Sequence, residues 1–343
     1  MIDLLRRRVR TTFERARPYA VRDVHVEHAA LLVDWRMPER ATLRAAADHS
    51  GAETYVLEQG DDPGGVARSA IAAGADALGV AGPDALLGPV ADVAAHAGLP
   101  VFCAPSRMGH GLARDLRLDA NDPTETLEAM ARSEEILVDY CLANGRPFVN
   151  HLAVGQMPAL VHGAGPGPDV LLGSGSGDGG RRRYATPEGG GDRHTALLMV
   201  TNNPMYLGGH PDFGRRMRLD AGVLGMVGLQ SLPDDVTPET PLSACPSLNV
   251  WHDTELHIES DAPILATVDG VAVTFTSPLD IISRRKALAM LVPAGTRPGC
   301  IPSRQAGAAQ LSDLAGSVAA DGGGVHDGGL FSVRPTAAPR AGS

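Results

Sequence analysis

Short apolar runs alternate with alanine-rich segments through the first third of the chain. The runs have the length of strands, and the segments between them have the composition and spacing of helices. Strands that alternate with helices in this way are typical of βαβ units around a parallel sheet. The predicted strands are Ala29–Val33, Thr54–Leu57, Ala77–Val80 and Pro100–Cys103, and the predicted helices are Leu43–Ala47, Gly65–Ala73, Leu86–Ala97 and Gly109–Leu116. Pro89 falls in the first turn of its predicted helix, where proline is tolerated.

The pattern changes after Asp122. Asp122-Pro123 followed by Glu125 marks a helix start, and beyond it the apolar runs are joined by turn dipeptides. Asn144-Gly145 and Asp269-Gly270 each lie between two such runs, which is a strong signal for a β-hairpin. The second half is therefore predicted to be mostly β and antiparallel. Its apolar runs are Ile136–Leu142, Phe148–Val154, Thr195–Thr201, Gly222–Leu229, Ile264–Val268, Val271–Thr276, Leu279–Ile282 and Ala287–Val292.

Composition divides the chain into four predicted parts. These are an N-terminal extension with some helix (1–28), an α/β nucleotide-binding-like domain (29–134), a β-rich second domain (135–293) and a disordered tail (294–343). The tail is rich in Gly, Ala, Pro and Ser, which favours disorder. Inside the β-rich domain, the glycine-rich stretch Gly163–Arg193 is expected to be a flexible insertion.

Charge and length exclude several classes of protein. The 343 residues are 43% apolar and 20% charged, as in ordinary globular proteins, and the net charge of −10 argues against a nucleic-acid partner. Lys286 is the chain's only lysine, so a Walker loop or a Schiff-base lysine elsewhere is excluded. The four cysteines lack the spacing of a zinc site. Without a signal-peptide pattern or an apolar run of about 18 residues, we expect a cytoplasmic protein, with peripheral membrane association left open.

Two stretches carry the candidate chemistry of the first half. Gly82-Pro83-Asp84-Ala85-Leu86 follows a predicted strand and opens a predicted helix, a place where helix N–H groups can face a phosphate. Downstream lies Ala104-Pro105-Ser106-Arg107-Met108-Gly109-His110-Gly111-Leu112-Ala113-Arg114-Asp115-Leu116. Together they resemble the diacylglycerol kinase catalytic family, particularly its bacterial lipid-kinase branch, which has a G-G-D-G-[ST] loop and then a G-T-x-N-x-[FL]-A-R-D-L stretch.

The second half continues this resemblance in the family's order. The matching stretches are Phe148-Val149-Asn150, Val200-Thr201-Asn202-Asn203 with Tyr206 and Gly208-Gly209, Arg218–Gly225, Val268-Asp269-Gly270 and Ala287–Pro293. The series covers about residues 29–293. It implies an α/β fold in which a Rossmann-like parallel-sheet domain precedes an antiparallel β-rich domain, as in diacylglycerol kinase and NAD kinase-like proteins.

The resemblance implies an ATP-dependent lipid kinase that phosphorylates a lipid hydroxyl at the cleft between domains. ATP and Mg²⁺ are the implied cofactors, and diacylglycerol or a related lipid or small molecule is the implied substrate. Asp220 would be the catalytic carboxylate of the second domain, and Asp84 and Asp220 would hold the metal. The residues implied in cofactor binding are Gly82, Asp84, Ser106, Arg107, Gly109 and His110.

Several motif positions depart from the family pattern. Pro83 and Ala85 replace glycines of the loop, and Leu86 replaces its hydroxyl residue. Val271 stands where the family has the glutamate of a D-G-E turn, and an apolar side chain cannot act as a base. Arg107, Met108 and His110 replace Gly, Thr and Asn, and Asp34-Trp35-Arg36 replaces the family's N-P-x-S-G opening. The alternatives are a catalytically inactive kinase-fold protein, which binds a lipid, a small molecule or a partner subunit, and a repurposed enzyme using the same cleft.

Each candidate side chain also has a structural interpretation. Asp84 is suited to capping a helix, Asp220 to a solvated turn, and Asp269 to the turn of its hairpin. Arg107 and Arg114 are candidates for phosphate contacts or for surface ion pairs, and Arg181–Arg183 for contact with anionic lipid or with solvent. His110 and His151 would meet across the cleft if the family architecture holds, whereas Asn202 and Asn203 are expected to satisfy backbone groups nearby. The spacing of His194, His210, His252 and His257 does not favour a zinc site.

Overall fold

The structure is a computed structural model. It describes residues 19–105, 111–119, 121–155, 182–186, 189–193, 197–205, 216, 218–229, 248–296 and 298. Within these ranges, no helix is both long enough and apolar enough to cross a bilayer.

A parallel sheet forms the centre of the first half, as predicted. Four parallel strands lie in the order β3-β2-β4-β5. Every residue of β2, β4 and β5 is buried, because elements cover both faces of the sheet. The elements are β1 (Val21–Asp23), β2 (Ala29–Asp34), α1 (Arg40–His49), β3 (Glu53–Leu57), α2 (Pro63–Ala72), β4 (Ala77–Ala81), α3 (Asp84–Ala97), β5 (Val101–Ala104), α4 (Gly111–Asp115) and α5 (Glu125–Glu128).

Local sequence sets the ends of the helices that flank this sheet. Asp62 caps α2 by accepting hydrogen bonds from the backbone N–H groups of Gly64 and Gly65. Helix α3 ends at Ala97 and is capped by Gly98, whose φ of 69° is left-handed and costs glycine little. This helix begins at Asp84, directly after Pro83, so the predicted start at Leu86 was two residues late. Pro89 consequently lies in the second turn rather than the first.

The second half contributes strands to two sheets. A six-stranded antiparallel sheet has the order β13-β12-β11-β8-β15-β16, and the remaining strands extend the parallel sheet into a mixed one. The predicted fold class is thereby confirmed. The strands are β6 (Ser133–Ala143), β7 (Arg146–Phe148), β8 (His151–Gly155), β9 (Arg182–Thr186), β10 (Gly189–Arg193), β11 (Leu197–Asn202), β12 (Leu224–Leu229), β13 (Leu248–Asp253), β14 (Glu255–Ser260), β15 (Ile264–Val268), β16 (Val271–Phe275) and β17 (Leu279–Pro293).

Strand β17 carries the second half back into the first sheet. It runs antiparallel to β6 along most of its length and pairs with β14 through Leu279–Ile282. Near its end Met290 lies parallel to Val101 of β5. The two halves therefore share one continuous sheet, and the predicted domain boundary between residues 134 and 135 remains a prediction.

Both predicted hairpins form, and their turn residues explain why. Asn144 and Gly145 have φ values of 46° and 80°, and Asp269 and Gly270 have 47° and 88°. Two successive left-handed residues give the turn whose twist matches that of the flanking strands, and Asn-Gly and Asp-Gly adopt it readily. The turns join β6 to β7 and β15 to β16.

Other predictions about this half need correction. The predicted strands Leu279–Ile282 and Ala287–Val292 are one strand, β17, whose register shifts between Arg284 and Leu288. The run Phe148–Val154 divides between β7 and β8, which lie in different sheets. Strands β13 and β14 were not predicted, because their apolar residues are separated by His, Asp, Glu and Asn.

The predicted extension and insertion contain strands where the structure describes them. In the extension 1–28, β1 pairs with β6 at Val21–Asp23. In the insertion Gly163–Arg193, expected to be flexible, β9 and β10 pair with each other and β9 pairs with β14. The rest of the insertion, and all of the predicted tail except residues 294–296 and 298, lie outside the described residues.

Gly79 in β4 provides a test of the central sheet. A Cβ atom at this position would overlap the ring of Phe102 on β5. We expect Gly79→Ala to lower the free energy of unfolding by about 1–3 kcal/mol, because the buried ring has to move. Gly64→Ala in α2 is the matched control, since its Cβ meets only atoms at 3.4 Å or more, and it should be neutral or slightly stabilising. Urea denaturation measures both, and equal stabilities would contradict this packing.

Candidate functional site

In the loop after β4, other side chains lie close against Gly82. A Cβ atom on Gly82 would lie 2.7 Å from Cδ1 of Leu86 and 3.1 Å from Cβ of Asp34. Pro83 has no N–H to offer, and the N–H of Leu86 donates to the carbonyl of Pro83 at 2.9 Å. Pro83 and Leu86 therefore contribute no free N–H to a phosphate, and Leu86 and Asp34 lie close against Gly82.

Asp84 is buried at the start of α3 and holds neighbouring backbone in place. Its Oδ2 accepts hydrogen bonds from the N–H of Gly111 at 2.8 Å and from Nδ2 of Asn150 at 2.9 Å. Asp84 is the first residue of the helix, and Pro83 occupies the capping position. The side chain thus ties α3 to the start of α4 and to the link between β7 and β8.

Asp269 lies beside Asp84 and binds the same link. Its carboxylate accepts hydrogen bonds from the N–H groups of Val149, Asn150 and His151 at 2.9–3.0 Å. Burial, together with the charge of Asp84, raises the pKa of Asp269 to about 7 despite the lowering effect of the three donors. The sequence predicted Asp269 as a turn residue, which its backbone confirms, but it did not reveal this contact across the sheet.

A buried ion pair also contacts the link between β7 and β8. Nε of Arg216 donates to Oδ2 of Asp115, and its Nη1 donates to the carbonyl of Val149. Both side chains are at most 1% exposed. Asn202 donates to the same carbonyl at 3.2 Å, so it satisfies backbone groups as predicted. Arg114 is a partly exposed neighbour whose Nε lies 3.8 Å from Asp115.

Asp220 belongs to a second cluster, in which both of its oxygens face cations. Nε of Arg218 donates to its Oδ1 at 2.6 Å, and Nζ of Lys286 lies 3.4 Å from its Oδ2. Asp139, on β6, accepts the N–H of Lys286 at 2.6 Å and that of Gly222 at 2.5 Å. Burial raises the pKa of Asp139, and the nearby charge of Asp220 also raises it.

The described residues do not fit the implied magnesium site. Asp84 is grouped with Asp269, whereas Asp220 is grouped with Asp139 and two cations. In the part of the chain that the structure describes, no set of three or more His, Cys, Asp or Glu side chains is arranged to hold a metal ion. The implied cofactor-binding residues Ser106, Arg107, Gly109 and His110 lie outside the described residues, so the predicted meeting of His110 with His151 stays a prediction.

A cavity of about 260 Å³ opens beside the closed loop, at the carboxyl ends of β2 and β3. Asp34, Glu58 and Asp61 line it, together with the indole of Trp35 and the side chain of Leu86. Arg36, the one lysine or arginine among the described residues that line it, is bound by Asp34 through hydrogen bonds of 2.6–3.2 Å. Burial opposes ionisation of Asp34, but these bonds hold its pKa below the usual value. A triphosphate would meet net negative charge here.

The fold built by these elements is that of the diacylglycerol kinases. Three solved structures named as diacylglycerol kinases, all from Bacillus anthracis str. Sterne, align with it. One has a TM-score of 0.62 at 15% identity, covering 80% of this chain and 98% of that one. A second has 0.59 at 16%, covering 80% and 100%, and a third has 0.57 at 16%, covering 78% and 98%. No family model matches the chain, and no curated protein matches it.

The pairing of Asp84 with Asp269 predicts a pH dependence of stability. The pKa of Asp269 is higher in the folded protein than its ordinary value of 3.8, so the folded state holds a proton that the unfolded state releases. The free energy of unfolding should therefore fall as pH rises from about 4 to about 7. Asp84→Asn keeps an oxygen for both donors but removes the charge. The decline should shrink by about 1.4 kcal/mol for each unit by which the pKa of Asp269 drops.

Urea denaturation between pH 4 and pH 8 measures this decline. Asp261→Asn, at an exposed position, is the matched control and should keep the wild-type slope. Identical slopes in Asp84→Asn and the wild type would show that the two carboxylates do not interact.

Proposed function

We propose that this chain uses a diacylglycerol kinase-like fold to bind a small molecule without taking a phosphoryl group from ATP. The observation that carries the proposal is the closed face of Gly82, which the side chains of Leu86 and Asp34 fill. Phosphate sites of this type depend on close approach of the ligand to glycine backbone at a helix N-terminus. Here Leu86 and Asp34 lie against Gly82, which narrows the space for such an approach.

The charges around the loop support the same proposal. ATP is an anion, and the described lining of the adjacent cavity presents Asp34, Glu58 and Asp61 against one cation, Arg36, which Asp34 already engages. The implied metal, which would offset this repulsion, has no set of ligands among the described side chains. The binding of ATP, the phosphoryl donor, and of Mg²⁺, its usual counter-ion, is therefore disfavoured.

The cavity itself is the proposed binding site. It lies at the carboxyl ends of two parallel strands, the edge at which open α/β sheets bind ligands. Its acidic rim and the partly exposed indole of Trp35 suit a neutral or cationic small molecule better than a nucleotide.

An ATP-dependent lipid kinase is the second candidate, favoured by the Asp84–Asp269 pair. Asp269 is buried and its pKa is raised to about 7, which suits a general base that accepts the proton of a hydroxyl group. The pair lies where the two sheets meet, which is the implied cleft. This candidate requires that ATP bind, so one measurement separates the two functions.

Thermal unfolding with and without millimolar Mg²⁺–ATP is that measurement. We expect no shift for the wild type, because a ligand stabilises only a state that it binds. Pro83→Gly/Ala85→Gly/Leu86→Thr reopens the loop and should gain an ATP-dependent shift, approaching about 2.7 kcal/mol at a hundred times the dissociation constant. Leu265→Thr, at a residue 62% exposed, is the control and should behave as the wild type.

A clear upward shift of the wild type would contradict the proposal. It would favour the lipid kinase, and phosphate transfer to diacylglycerol in mixed micelles would then be measured directly.

A further inference from the structure

Lys286 occupies an unusual backbone position. It lies in the irregular part of β17, between the two registers in which that strand pairs with β6, and its φ is 49°. A left-handed conformation is unfavourable for a side chain of this kind and persists only where the surroundings enforce it. Irregularities of this sort re-aim side chains and are frequent beside functional sites. The chain's only lysine is therefore held in a fixed place.

This one residue contacts both acidic side chains of the second cluster. Its N–H donates to Oδ1 of Asp139 at 2.6 Å, and its Nζ lies 3.4 Å from Oδ2 of Asp220. Arg218 occupies the other oxygen of Asp220 at 2.6 Å. Asp220 and Asp139 are 7% and 2% exposed, so their charges need partners within the protein.

A divalent cation at Asp220 would have to displace these partners. Mg²⁺ demands near-octahedral oxygen ligands and keeps several waters, which requires open space around a carboxylate. Here both oxygens of Asp220 face a cation, and both oxygens of Asp139 accept backbone N–H groups. An incoming metal ion would also meet the positive charges of Arg218 and Lys286.

We propose that Lys286, together with Arg218, takes the place of a divalent cation at Asp220. The carboxylate that the sequence predicts as a metal ligand is neutralised by side chains of the protein. The cluster then joins β6, β17 and the segment before β12 without a metal ion. This inference does not depend on the proposed function, since it concerns metal binding in the absence of any nucleotide.

Titration of the full-length chain with Mn²⁺ alone tests the inference. Free Mn²⁺ is measured by electron paramagnetic resonance, and the wild type is compared with Asp220→Asn to subtract binding elsewhere. We expect the two titrations to coincide. Lys286→Met removes the ammonium group while keeping a long side chain, and it should bind Mn²⁺ at least about tenfold more tightly than the wild type. Adding Asp220→Asn to Lys286→Met should abolish that gain.

Lys286→Arg is the matched control, because it retains the positive charge at the same backbone position. It should show no gain in Mn²⁺ affinity. Thermal unfolding gives a second readout, in which Mn²⁺ should raise the midpoint of Lys286→Met but not that of Lys286→Arg.

Two results would overturn the inference. One is saturable Mn²⁺ binding by the wild type that Asp220→Asn removes, which would make Asp220 a metal ligand despite its ion pairs. The other is a Lys286→Met variant that gains no affinity, which would show that the lysine is not what excludes the ion. If Lys286→Met does not fold, Lys286→Gln replaces it in every comparison, and a Lys286→Gln variant that gains no affinity overturns the inference in the same way.

Discussion

The charge of Arg216 is fully buried, so its counter-charge has to be supplied inside the protein. Asp115 at the end of α4 supplies it, and the carbonyl of Val149 takes a further guanidinium N–H. Asp269 holds the same short link from the other direction by accepting three of its N–H groups. The link between β7 and β8 is thus bound on both sides. Because β7 lies in the mixed sheet and β8 in the antiparallel one, these contacts fix one sheet against the other.

The same contacts also reach the loop that follows β4. Asn150, in the middle of the link, donates to Asp84 and holds it at the start of α3. Helix α3 begins directly at the loop, and Leu86 lies against Gly82 beside Asp34. The position of Leu86 is thereby linked to the junction, because Leu86 lies on a helix whose first residue is bound from the second half.

Sequence alone predicted what depends on local chemistry. The parallel sheet followed from uninterrupted apolar strands, and the two hairpins followed from Asn-Gly and Asp-Gly turns, whose conformations are set by the residues themselves. The continuity of β17 was hidden, because Arg284, Arg285 and Lys286 interrupt its apolar pattern.

The partners of the candidate site were hidden for a different reason. Asp269 binds Val149, and Lys286 approaches Asp220, only after distant parts of the chain have met. No spacing within the sequence encodes such contacts. The resemblance of the motifs predicted Asp84 and Asp220 as metal ligands, but not that Asp84 would lie beside Asp269 while Asp220 is paired with cations.

The position of β17 has a consequence for how the chain is made. Near its end, β17 pairs with the edge of β5, which belongs to the first half. On the ribosome, β5 emerges long before Met290 and keeps an exposed edge while the intervening residues are synthesised. Unpaired strand edges invite association with other chains. The edge of β5 is thus open to such association until the last residues of β17 have been made, and contacts between residues so distant in sequence slow folding.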